Sequence, residues 1–99
     1  MARKLLVWPE AEADLTAAAI WYSEIRANLA EAFLSDFSAI VQLILDNLQM
    51  GVAYGKEVRK LALRKFPYIV YYRNSEQIEI VACLHAGREP GLLAQRVQH

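Results

Sequence analysis

The apolar residues of this chain change their spacing once, near Gly51, and that change limits the fold more than any other feature. Before it they recur every three to four residues, which is the mark of amphipathic helices. After it they alternate or run together over short stretches, which is the mark of strands. Ala11, Leu15, Ala18, Tyr22 and Ile25 form the first helical stripe. Pro9 suits the first position of that helix, where its missing N–H removes nothing, and Glu10, Glu12 and Asp14 place negative charge at the positive end of its dipole. The spacing predicts a helix from Pro9 to Arg26. Asn28 with Glu31 three residues on reads as a capping-box variant that opens a second helix. Its stripe is Leu29, Phe33, Phe37, Ile40, Ile44 and Leu48, and Gly51 is placed to end it in a left-handed cap. So short a joint predicts an antiparallel helical hairpin.

Beyond the change, Val58–Leu63 sets Arg59, Leu61 and Leu63 on one face and Val58, Lys60 and Ala62 on the other. Arg64-Lys65-Phe66-Pro67 is a turn, because Pro67 cannot donate to a ladder. Tyr68–Arg73 is a β-rich strand, Asn74–Gln77 a turn, and Ile78–Leu84 an apolar strand covered on both faces. Gly87 and Pro90-Gly91 interrupt the chain before a short helix over Leu92–Val97. A further strand over Arg3–Trp8, closed by Pro9, precedes the hairpin and pairs with whichever strand has a free edge. The order is β-α-α-β-β-β-α. The expected fold is α+β, a two-layer sandwich of a helical hairpin on an antiparallel three-strand meander. With 99 residues in the chain, one domain over 1–99 is expected.

Apolar residues make up 56% of the chain and charged residues 22%. That composition excludes a disordered chain. The longest unbroken apolar run, Ala17–Tyr22, is far below the ~18–20 residues that span a bilayer, and no secretory h-region precedes Pro9. A cytoplasmic protein with no membrane partner is expected. Positions 1–50 hold three basic and seven acidic side chains, and positions 51–99 hold eight and four. The second half is therefore suited to an anionic partner or simply solvates its charge. A surplus of large apolar side chains in so small a chain predicts an exposed patch for a partner on the hairpin and on the open face of the meander.

Candidate chemistry is sparse. Cys83 and His85 share a strand face, as a nucleophile and base would, but Cys83 sits in an apolar run where a free thiol behaves as a small hydrophobe. His85 either transfers protons near neutral pH or donates a hydrogen bond that fixes the C-terminal turn. One cysteine and two histidines give no metal site, and no cofactor is implied. Glu10 and Asp14 read as a solvated first turn. Arg59, Lys60, Arg64, Lys65, Arg73 and Arg88 come from adjacent strands and turns. With Tyr68, Tyr71 and Tyr72 interleaved they have the composition of an RNA-contacting stripe, or of a surface for an acidic protein.

Pro9-Glu10-Ala11-Glu12-Ala13-Asp14-Leu15 followed by Trp21-Tyr22 resembles the opening helix of the RelE/ParE superfamily of bacterial toxins. Val58-Arg59-Lys60-Leu61, Phe66 through Arg73, and Ile80 through Pro90 are similar to its later strands and exit, so the likeness runs from about Leu5 to Pro90. It implies the toxic component of a type II toxin–antitoxin system, of the kind that stabilises plasmids. A cognate antitoxin would bind and silence it in a hetero-oligomer. In the RelE-like branch it implies a ribosome-dependent, metal-independent mRNA endonuclease, with Arg88, Lys60 and His85 as the catalytic set. In the ParE-like branch it implies an inhibitor of DNA gyrase. Arg59, Arg64, Lys65 and Arg73 would contact the target or RNA. Ile69 and Ala62 stand where the nuclease pattern has cations, and the last helix offers Leu93 and Ala94 with no tyrosine. Metal-free cleavage needs a base, an acid and charge stabilisation together, and losing one cation costs ~10²–10³ in rate, so these departures favour the ParE-like branch.

Overall fold

The structure, a computed structural model, describes residues 4–55, 57–87 and 91–97, apart from the side chains of Leu92, Ala94 and Val97. Its elements are β1 (Leu5–Val7), α1 (Pro9–Ile25), α2 (Leu29–Asp46), β2 (Val52–Ala53), β3 (Val58–Ala62), β4 (Tyr68–Asn74), β5 (Ile78–His85) and α3 (Gly91–Val97). The strands form a five-stranded sheet in the order β1-β5-β4-β3-β2. The α+β order expected from the sequence is the one observed, with β1 as the N-terminal strand. β1 pairs with the free edge of β5, and it does so in parallel, which the long helical connection after it permits.

Pro9 occupies the start of α1 after an extended Trp8, and Glu10 and Glu12 lie in its first turn. The inward ridge of α1 is Ala11, Ala18 and Tyr22. Tyr22 packs against the Phe33 and Phe66 rings, with centroids at 5.6 and 4.9 Å. Ile25, placed on the same ridge by its spacing, lies one turn further and is 57% exposed. Asn28 precedes α2 in helical rather than extended conformation and its side chain makes no cap hydrogen bond, so the expected capping box is not formed. α2 ends at Asp46, before Gly51 is reached. Gly51 answers to crowding instead: a Cβ there would lie 2.7 Å from the Lys60 carbonyl oxygen and 2.8 Å from the Tyr72 hydroxyl. Only a residue without a Cβ fits so close an approach.

The sheet separates two apolar layers. On the hairpin side Val70, Tyr72, Ile78, Ile80 and Cys83 meet Ala11, Tyr22, Phe33, Ile40 and Ile44. On the other side Val58, Tyr71, Val81, Ala82 and Leu84 meet Leu93 of α3. A β-bulge links the two: β4 pairs Tyr72 with Ile80 but Tyr71 with Ala82, leaving Val81 as an extra residue. Ile80 and Ala82 therefore face opposite layers although they are two apart. β2, of which the apolar pattern gives no sign, contributes only two pairs, Val52 with Lys60 and Ala53 with Arg59.

Candidate functional site

Among the described residues the exposed large apolar side chains are Leu5, Leu6, Leu34, Met50 and Val52 and, on α1, Ile20, Trp21 and Ile25. Ile20, Trp21 and Ile25 are 55%, 56% and 57% exposed, opposite or beyond the ridge that faces the sheet. Ala13, Ala17 and Trp21 continue this surface toward the helix start at four-residue spacing, and small residues there leave room beside the helix. Pro67, Tyr68, His85 and Gly87 close the other side, and together they bound an open groove of about 1010 Å³. Tyr68 and His85 stand edge to face at 5.4 Å. An aromatic row thus runs from Trp21 through Tyr22 and Tyr68 to His85. Such a groove offers apolar contact over a helix length, the geometry that takes an amphipathic segment of another protein.

Asp14 lies in the wall of this groove. Its spacing from Glu10 predicts a solvated first turn, yet its side chain is 14% exposed and ion-paired with Arg96 at 2.8 Å. It also accepts the Cys83 N–H at 3.0 Å. Nothing local announces this role, because both partners are brought in by the fold. Cys83 and His85 do share a face, as their spacing implies. Burial, with the Asp14 carboxylate adding to it, pushes the Cys83 thiol up to about 12. A ready thiolate at neutral pH is thereby ruled out. His85 is exposed, and its Nδ1 accepts the Gly87 N–H at 3.0 Å, so it meets the turn as an acceptor and not as the expected donor.

The six cations do not form one stripe. Arg59 points to the hairpin side and donates to the Gly51 carbonyl at 2.7 Å. Tyr72, opposite it in the ladder, is wholly buried there. Lys60 and Arg73 face the α3 side. The Lys60 ammonium lies 5.1 Å from the Tyr54 ring centroid, and the Arg73 guanidinium lies 5.1 Å from that of Trp8. Both are cation–π contacts. Arg73 is also paired with Glu79 at 3.0 Å. Hydrogen bonds from Ser75, Trp8 and Arg73, with the Arg73 charge, hold the Glu79 carboxyl below the usual range against the opposing pull of burial. Arg64 and Lys65 form the exposed turn between β3 and β4. The buried Asp36 carboxylate accepts both their backbone N–H groups, at 3.2 and 2.7 Å. Arg88 lies outside the described residues.

The residues proposed for RNA cleavage are thus not gathered where they are described. Lys60 pairs with Tyr71 and faces α3, whereas His85 pairs with Tyr68, three residues along β4, and lies with Cys83 on the hairpin side. Ile69, opposite Ala62, puts apolar surface beside Lys60. Among the described residues no group of three metal-binding side chains exists, and no helix is long and apolar enough to cross a membrane.

No curated protein matches the sequence. Among solved structures, a chain from the "Chromosomal ParDE TA system from P. aeruginosa" superposes with a TM-score of 0.73 at 21% identity. The match covers 85% of this chain and 96% of that one, and shows a shared fold. Residues 5–90 match the profile described as "ParE toxin of type II toxin-antitoxin system, parDE". That span holds every described strand, both long helices and the whole of the groove, so the chain belongs to the ParE toxin family of type II toxin–antitoxin systems.

Proposed function

We propose that this protein arrests growth by inhibiting DNA gyrase, and that a cognate antitoxin silences it in the cytoplasm by laying an amphipathic segment in the α1 groove. The observation that carries the antitoxin reading is the exposed pair Trp21 and Ile25 in a groove lined also by Ala13 and Ala17. A freely circulating monomer has no use for so much apolar surface in one place, and a dedicated partner accounts for it. The related structure is titled as a ParDE system, which supports a partner of the same kind here.

The separation of Lys60 from His85, with apolar Ile69 and Ala62 beside Lys60, favours gyrase over mRNA as the target. Cleaving RNA without a metal requires acid, base and charge stabilisation around one phosphate, and a cation and a histidine on opposite faces of a sheet do not meet there. Among the described residues of the basic set, Arg64 and Lys65, on a turn fixed by Asp36, and the exposed part of Arg73 are offered to the target.

Expression of the chain alone and with the product of the adjacent reading frame tests both parts. The expected result is filamentation and DNA damage without the partner, rescue with it, and loss of supercoiling when purified gyrase meets the isolated protein. Cleavage of translated mRNA that disappears in Arg88→Ala or Lys60→Ala would replace gyrase by the ribosome. Normal growth of cells making the chain alone would end the toxin reading.

A further inference from the structure

We propose that Asp14 is a latch between the two layers of the molecule, so that a partner filling the α1 groove fastens α3 over the opposite face of the sheet. The latch rests on the reading above only in naming the antitoxin as the groove's occupant.

Among the described residues, Asp14 is the one carboxylate in the groove wall. Its Oδ2 accepts from the Cys83 N–H and from Arg96 Nη1, and its Oδ1 lies 3.4 Å from Arg96 Nη2. Arg96 Nη1 also donates to the Val81 carbonyl at 3.0 Å. Arg96 belongs to α3, so the ion pair ties the groove wall to a helix on the other side of β5. Among the described side chains of α3, Leu93 and Arg96 are the two anchors. Leu93 is 1% exposed among Tyr71, Val81, Ala82 and Leu84.

A helix of seven residues, such as α3, does not hold itself together in water, so its closed position depends on anchors of this kind. The strength of one of them depends on the groove. The Asp14 and Arg96 side chains are already only 14% and 11% exposed. Most of their desolvation is therefore complete on folding. What remains is the water in the groove, which screens the pair. Apolar side chains laid along Ala13, Ala17 and Trp21 displace that water, lower the local dielectric and strengthen a pair whose hydrogen bonds are already made. Linkage makes the effect reciprocal: a firmly closed α3 also raises affinity in the groove. The face covered by α3 adjoins Lys60 and Tyr54, so occupation of one side of the sheet controls access to the other.

Hydrogen exchange at the Gln95, Arg96 and Val97 amides reads the latch, with the Val70 and Tyr72 amides as a control for the core. In the free protein, Arg96→Gln speeds exchange in α3 by about tenfold or more and leaves β4 unchanged. Adding the protein encoded by the adjacent reading frame slows α3 exchange in the parent chain by about tenfold or more. In Asp14→Asn, which keeps an acceptor for Cys83, the slowing seen at saturating partner is lost. Arg96→Gln repeats this arm with α1 untouched. Equal slowing in the variants, or no effect of Arg96→Gln on the free protein, overturns the latch. A partner that binds neither form overturns the antitoxin reading and the occupant named here, while the free-protein comparison still decides whether Arg96 holds α3.

Discussion

Three hydrogen-bonded polar groups show how single residues fix this fold. The Tyr72 hydroxyl, deep in the hairpin layer, donates to the Leu48 carbonyl and accepts the Gly51 N–H, both at 2.9 Å, and so ties the end of the helical region to the sheet. Asp36 plays the corresponding part for the β3–β4 turn. Asp36→Ala strips two backbone N–H groups of their acceptor and should cost about 1–3 kcal/mol, read as a lower urea midpoint with unchanged slope. Glu79 carries a pH signature. Its carboxyl is held below the usual range in the folded state, so its contribution is full above the ordinary carboxylate range. That contribution is lost as pH falls from that range through the lowered value. Glu79→Gln should therefore flatten the acid limb of stability against pH. Cys83 should resist thiol reagents in the native state at neutral pH and react only on unfolding. The inert thiol is legible in the sequence, through the apolar run around it. Asp14 is not, because Cys83 and Arg96 are 69 and 82 residues away and no spacing rule reaches that far.

At the scale of elements, helices and long strands are readable because each is decided by its own periodicity. α1 spans the predicted positions to within a residue, and α2 stops short of Leu48 because Asn47 turns out into extended backbone. What periodicity does not decide is which short segment gains a neighbour late. β2 is two residues long and exposed, held by its pairing with β3 rather than by a pattern of its own. The basic stripe fails for a related reason: Arg59 and Lys60 are adjacent, so a strand must send them to opposite layers. α1 is apolar on both sides, which marks it as an element with one partner inside the molecule and room for another outside. The Trp21 ring is exposed. Trp21→Ala should therefore cost the free chain no more than about 1 kcal/mol, the worth of its edge contact with Tyr22, and weaken antitoxin binding by about 2 kcal/mol in calorimetry.

For the whole molecule, a partner that binds only the folded chain shifts its unfolding by mass action. At a hundred times its Kd, the antitoxin should add about 2.7 kcal/mol, seen as a concentration-dependent rise in Tm. The extra residue in β5 has a different consequence. Deleting Val81 would let Ala82 follow Ile80 in a regular ladder, with every pairing to β4 kept. The same deletion would take away the carbonyl that Arg96 holds and one of the side chains packed around Leu93. Trimming this one position should thus spare the sheet while unseating the C-terminal helix, so the two are free to vary separately in the course of descent.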